Sequence, residues 1–344
     1  MKIDQNTNIT IFGGTGFIGH SLVKKLAQTG ATLRIAARHP QKAYDLRPNG
    51  RVGQIVPLRC TGDKESVERA VKGADIVINL VGILHEPKKY AFQKAHVELP
   101  DFIAQAASEH NVERFIHISA LGIRESASKY AASKRDGEDA IMQSYPTATI
   151  IRPSIVFGPG DSFFNMFARM SMILPALPLI GGGQTKFQPV YVEDVTQAIM
   201  QCLQMGQTRG QILSLGGPEV LSFKQLMKKM MRFTGRKRAL MSLPWGIARV
   251  QASILSLFPK PLLTNDQVTS LKTDNIVKDG DIGLSDLGIT PTPLDCVLPS
   301  YLSRFKPGGE RFSKDEDAAP VARIHYGAQT ESPSNSPSKL KDVS

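Results

Sequence analysis

Cysteine, long apolar runs and, in two stretches, acid are what this sequence lacks. Three cysteines, Cys60, Cys202 and Cys296, stand far apart in 344 residues. That spacing excludes a disulfide framework and a cysteine metal knuckle, and a reducing compartment is the simplest reading. No uninterrupted apolar stretch is long enough to cross a bilayer, so a membrane-spanning helix is not expected. Strand-like sequence begins at Asn8, which leaves no room for a signal or transit peptide. The expected location is cytoplasmic, peripheral on the cytoplasmic face of the inner membrane if the chain holds to a surface.

Acid is also outnumbered. Lys and Arg total 42 against 31 Asp and Glu, a net charge of +11. This balance favours an anionic partner: a phosphorylated cofactor, nucleic acid, a lipid surface or an acidic protein. The excess is local. Residues 306–344 hold six basic and six acidic residues and are neutral, whereas residues 221–250 hold eight basic residues and no acid. These eight are Lys224, Lys228, Lys229, Arg232, Arg236, Lys237, Arg238 and Arg249. Most fall on or just after the first of two amphipathic helices expected within 222–258. The first opens at Ser222, with Gln225 completing a capping box, and stops at Gly235. The second starts after Pro244 and carries Ile247, Val250, Ile254 and Leu257 on one stripe. Cations beside an apolar face suit an anionic membrane or an acidic partner surface. A solvated face over an ordinary core helix is the alternative. Nucleic acid is not expected, because the block has only Phe223, Phe233 and Trp245 as aromatics and no recognition motif surrounds it.

What is present is a strand and helix alternation. Hydrophobic residues at 41% and charged residues at 21% suit a folded chain. Residues 8–12, 32–36, 54–58, 75–79, 114–119 and 148–153 read as buried strands. Helical patterns fill most of the intervals, over about 64–71, 93–109 and 126–143 and, first, through Ile18, Leu22, Val23 and Leu26. This period predicts an α/β Rossmann fold, a doubly wound parallel sheet. The expected organisation is an NAD(P)-binding Rossmann core over 1–153 and a smaller, irregular C-terminal lobe over 154–305, interleaved with the core. A disordered tail is expected over 306–344, where the composition cannot offset the entropy of ordering.

The motif with chemistry is Gly13-Gly14-Thr15-Gly16-Phe17-Ile18-Gly19, between the first strand and the first helix. Gly13 permits the tight turn, Gly16 lets backbone approach a pyrophosphate, and Gly19 allows close helix packing, while the helix N-terminus offers free N–H groups. The second strand ends Ala36-Ala37-Arg38-His39, with no carboxylate for ribose hydroxyls. Arg38 instead suits a 2′-phosphate, so NADP(H) is preferred and NAD(H) remains open; a plain surface arginine is the alternative. Tyr130 and Lys134, four apart on a helix, share a face, where an ammonium can tune a phenol that acts as acid or base.

With these residues in place, the chain resembles an extended, atypical short-chain dehydrogenase/reductase. More narrowly, ISALG at 118–122, KYAASKRDGE at 129–138, IRPSIVFGPGDSFFNMFA at 151–168, QPVYVEDV at 188–195 and LGITPTPL at 287–294 are similar to the 39-kDa accessory subunit family of respiratory complex I. The resemblance spans about 8–305. It implies nucleotide contacts from Gly13, Gly16, Phe17, Ile18 and Gly19 at the pyrophosphate and Arg38 at the 2′-phosphate. It further implies Asp63 near the adenine, Tyr130 and Lys134 at the nicotinamide ribose, and Val81 and Pro153 among the remaining contacts.

One position departs from catalytic members. The alignment of Phe115-Ile116 puts the catalytic hydroxyl position at Ala120, with Ser119 one residue early. Adjacent strand-end side chains point to opposite sides, and loss of that donor would remove a large part of such catalysis. Two functions therefore stand open. One is an NADP(H)-binding accessory or assembly component of NADH:quinone oxidoreductase, with the nucleotide mainly structural and complex I subunits or an anionic membrane as partners. The other is an NADP-dependent reductase or epimerase acting on a quinone-like or other lipophilic carbonyl, with Tyr130, Lys134 and Ser119 as catalytic residues. No metal site is expected, His117 reads as a packed core residue, and Asp194 is expected to cap the helix that follows it.

Overall fold

The computed structural model describes residues 2–86, 91–256 and 263–308. Most of the expected tail, 309–344, and the stripe residue Leu257 lie outside them. In chain order the first half contains β1 (Asn8–Phe12), α1 (Phe17–Ala27), β2 (Thr32–Ala37), β3 (Ile55–Arg59), α2 (Lys64–Val71) and β4 (Ile76–Asn79). There follow the short α3 (Ala91–Gln93), a π turn over Lys94–Glu98, α4 (Leu99–Glu109), β5 (Arg114–Ile118), α5 (Lys129–Ser144) and β6 (Thr149–Pro153).

The second half contains β7 (Val156–Phe157), α6 (Phe163–Ile173), β8 (Ala176–Ile180), β9 (Lys186–Phe187), β10 (Val190–Tyr191), α7 (Val192–Gln204) and β11 (Ile212–Leu215). After these come β12 (Leu221–Ser222), α8 (Phe223–Thr234), β13 (Ala239–Leu243), α9 (Trp245–Leu255), α10 (Asn265–Ser270) and α11 (Leu294–Leu302).

Seven parallel strands form one sheet in the order β11-β6-β5-β4-β1-β2-β3. This is a Rossmann fold. The strand order reverses between β1 and β4, and the crevice at their carboxyl ends is where such sheets bind ligands. Alternation along each strand divides the core. Ile9 and Ile11 of β1 and Ile116 and Ile118 of β5 pack with Leu22, Val23 and Leu26 of α1 and Val195 and Ile199 of α7. Phe12 and Phe115 face the opposite layer, with Val67 of α2, Ile103 of α4 and Ile141 of α5.

The expected helix over 93–109 is interrupted. Pro100 has no N–H to donate to the His96 carbonyl, and the Leu99 N–H reaches back to the Lys94 carbonyl in a wider turn. The freed His96 carbonyl lies against Gly137 of α5, where a Cβ would overlap it. The helix expected from 126 starts instead at Lys129, because Ser128 caps it by accepting the Ala131 N–H at 3.1 Å.

Asp194 differs from its expected role. Its carboxylate accepts the Thr292 N–H at 2.7 Å and the Thr292 hydroxyl at 2.9 Å, pinning the 287–294 loop rather than capping α7.

The C-terminal lobe has its own core. Phe163, Phe164, Phe167, Phe187 and Phe223 form a cluster with ring centroids 5.1 to 6.4 Å apart, closed by Leu226, Met230 and Leu298. Helix α8 forms as its sequence requires, with the Ser222–Gln225 capping box and Gly235 left-handed at φ 61°.

Candidate nucleotide site

The crevice begins at the glycine turn. Gly13 has φ +77°, and a Cβ there would meet the Leu80 carbonyl carbon at 2.9 Å and the Val81 nitrogen at 3.0 Å. Gly19 is more tightly enclosed, since a Cβ would overlap the Gly14 carbonyl. Gly16 is exposed and is the N-cap of α1; its N–H closes a turn on the Gly13 carbonyl at 2.9 Å. Phe17, Ile18 and Gly19 occupy the first helical positions, whose N–H groups have no acceptor within the helix. No acidic residue occupies this first turn. The arrangement fits an anion, and a nicotinamide dinucleotide pyrophosphate in particular.

Val81 extends the cradle from β4, its N–H held by Asn79 Oδ1 at 3.0 Å. Pro153 is buried at the end of β6. Arg38 is exposed just past β2, at the same carboxyl edge of the sheet. Asp63 lies just past β3, exposed, with its carboxylate engaged: Oδ1 accepts the Ser66 N–H at 2.9 Å as the cap of α2, and Thr61 donates to Oδ2. These bonds hold Asp63 at about pKa 2, the Thr61 hydroxyl contributing most.

Tyr130 and Lys134 share a face of α5, and three contacts set their position. The Asp266 carboxylate of α10 accepts the N–H groups of Lys129, at 2.6 Å, and Tyr130, at 3.0 Å. His96, 1% exposed, accepts the Ile83 N–H through Nε2 at 3.0 Å. Its other nitrogen, Nδ1, therefore carries the proton and donates to Ser133 Oγ at 2.9 Å, which in turn donates to the Tyr130 carbonyl at 2.8 Å. Phe92 stacks on His96, and Tyr130 meets both rings edge-on. Burial first, then the charge of Lys134, brings His96 down to about 3.

Burial sets the protonation of the pair. Burial pushes the Tyr130 phenol up to about 12. Burial also lowers Lys134 to about 8, partly opposed by Glu138 one turn along. Glu138 itself is 1% exposed and forked by Arg152, with Arg124 behind it at 3.5 Å. The Lys134 ammonium donates to the Ile118 carbonyl at 3.1 Å. Ser119 is buried and its hydroxyl has no hydrogen-bond partner. Among the described residues no direct hydrogen bond links the side chains of the three catalytic candidates. His117, two residues before Ser119, is fully buried; Asn79 Nδ2 lies 3.1 Å from its Nδ1, while Nε2 is unpartnered.

Three residues that position Tyr130 escape sequence reading: His96, Ser133 and Asp266. His96 and Asp266 act over long chain separations, and only Pro100 hinted locally at the π turn that presents His96.

The family model described as NAD(P)H-binding matches residues 13–160, and that of the 3-beta hydroxysteroid dehydrogenase/isomerase family matches 123–213. The first half is accordingly an NAD(P)H-binding domain. Among solved structures, the chain is similar to the NADPH-dependent quinone oxidoreductase QOR2 from Escherichia coli, complexed with NADPH. That similarity has a TM-score of 0.67 at 18% identity, covering 86% of this chain and 98% of the other, and it speaks to fold alone. Mitochondrial NADH dehydrogenase (ubiquinone) 1 alpha subcomplex subunit 9 from Mus musculus is 35% identical over 92% of this chain and 85% of its own length. The corresponding subunit from Arabidopsis thaliana is 33% identical over 88% and 79%. This chain, a Rossmann protein of the extended short-chain dehydrogenase/reductase type, belongs to the family of that complex I subunit.

Proposed function

We propose that the protein is an NADP(H)-binding accessory or assembly component of a respiratory NADH:quinone oxidoreductase, in which the nucleotide is held mainly for structure. The missing hydroxyl at Ala120 carries this reading. Ala120 offers no hydroxyl at the expected catalytic position, and Ser119 stands one residue early in the chain. In the proposed assignment, the N–H groups of Phe17, Ile18 and Gly19 hold the pyrophosphate beside Gly13 and Gly16. Arg38 takes the 2′-phosphate, Asp63 borders the adenine, and Val81 and Pro153 line the crevice. Tyr130 and Lys134 hold the nicotinamide ribose.

A bound nicotinamide nucleotide would supply hydride transfer. In the proposed assignment the residues around it supply orientation, and the Tyr130 phenol, raised to about 12 by burial, is protonated at neutral pH and can donate a hydrogen bond. No helix among the described residues is long and apolar enough to cross a membrane, which agrees with a peripheral position on complex I or on an anionic surface. Native mass spectrometry of protein released from its own membranes tests the proposal. NADP(H) and complex I subunits should travel with it; protein without nucleotide, or never associated with complex I, contradicts it.

A second reading, a reductase of quinone-like or other lipophilic carbonyls, draws on one observation. Ser119 Oγ is a buried donor with no protein partner, a condition expected of a group kept for a ligand. Oxidation of bound NADPH by a carbonyl compound, abolished in Tyr130→Phe, would favour it.

A further inference from the structure

Helix α9 is built inside out. Its buried residues are Ala248 and Ala252, while Ile247, Val250 and Ile254 are 57%, 63% and 57% exposed. At about 100° per residue these three fall within roughly 60° of one another on the helix surface, so they form one outward stripe. Large aliphatic side chains scattered singly on a surface need no explanation, whereas a row of them does. Eight of the eleven large hydrophobic side chains exposed among the described residues lie between Met172 and Ile254.

The surroundings indicate what covers this stripe. From Val220 to Asn265 the chain contains no acidic residue. Lys224, Lys228 and Arg232 are exposed at four-residue spacing along α8 and make a basic row. Other cations of the block are engaged within the protein. Lys229 pairs with Glu219 and Asp295, the Arg236 side chain donates to the Phe305 carbonyl, and the Arg238 side chain donates to the Ser171 carbonyl. The turn Gly181–Gly183 brings the two helices together. A Cβ at Gly181 would overlap the Trp245 ring at the start of α9, and one at Gly183 would lie 3.1 Å from the Lys224 nitrogen at the start of α8.

Resting on the peripheral placement proposed above, we infer that α8 and α9 form a docking face for an anionic lipid bilayer. Ile247, Val250 and Ile254 enter the acyl boundary, and the Lys224, Lys228, Arg232 row meets the headgroups. An aliphatic row beside a basic row, with no acidic residue from Val220 to Asn265, matches an anionic lipid surface and favours lipid over an acidic protein.

Flotation of the full chain with vesicles tests this apart from nucleotide binding and complex I association. Binding is expected to phosphatidylcholine vesicles containing phosphatidylglycerol, and at least tenfold less to phosphatidylcholine alone. The triple substitution Ile247→Asn, Val250→Asn, Ile254→Asn should lower partitioning at least tenfold with an unchanged circular dichroism melt. Lys224→Gln, Lys228→Gln and Arg232→Gln should each lower it about fivefold. Equal binding to both vesicle types, or unchanged flotation of the triple variant, overturns the inference. So does a triple variant that still floats fully but no longer co-purifies with respiratory-chain proteins, since that assigns the face to protein. Loss of complex I association in the wild type, with flotation intact, would instead overturn the accessory role alone.

Discussion

The two halves of the molecule handle apolar surface in opposite ways. In the sheet half, β4 and β5 are buried along their whole length and both faces are covered by helices. In the lobe, six strands occur in pairs while β11 joins the large sheet, β13 has no residue fully buried, and α9 turns its larger side chains outward. The sheet half therefore covers its apolar surface itself, while the lobe leaves an aliphatic row exposed. The proposed accessory role would use both arrangements, a crevice for a nucleotide and an exposed face for docking.

That contrast can be broken at several points. The largest effect is expected in the sheet half at Gly137→Ala, where the new methyl would enter the His96 carbonyl. Loss of folded protein, or about 3 kcal/mol in urea unfolding, should follow, and tolerance of the change would refute the described π turn. Arg38→Glu should weaken NADPH binding by roughly 10- to 100-fold in calorimetry and leave NADH almost unaffected. Unchanged NADPH binding would remove Arg38 from the phosphate.

Lys134→Met separates holding from stability. The folded chain lowers Lys134 to about 8 from 10.5, so its buried charge is a cost below pH 8 that is relieved as pH rises between these values. The nucleotide-free variant should melt several degrees higher at pH 7, about 2 kcal/mol, while binding NADPH about tenfold more weakly. His96 acts with the same sign at lower pH. The unfolded chain takes up a proton near 6.5 and the native site only near 3, so stability falls as pH drops through that interval. His96→Asn should flatten this part of an acid-unfolding curve. The smallest effect belongs to the lobe: Ile247→Asn, on the exposed stripe, should change stability by no more than about 0.5 kcal/mol. A large loss there would mean that the stripe is packed within the chain.

The sequence made local features legible and hid those formed at a distance. Apolar runs placed the strands, the glycine turn placed the cradle, and Ser222, Gln225 and Gly235 marked both ends of α8, because each depends on near neighbours. The Asp194 to Thr292 bond spans 98 residues and the Asp266 to Tyr130 bond 136, and neither leaves a local trace. Periodicity also found the Ile247, Val250, Ile254 stripe without its direction. Two alanines on the opposite side can sit closer to the neighbouring elements than branched chains can, and only the fold decides which face goes inward. Ser119 is similar: its type was evident, but its lack of a partner required coordinates.

The central claim is that the nucleotide is held without being turned over, and rapid-mixing absorbance of NADPH-loaded protein tests it most directly. The nicotinamide signal should remain flat when quinones and other lipophilic carbonyls are added. Its decay on mixing with any of them, lost in Tyr130→Phe, would contradict the account.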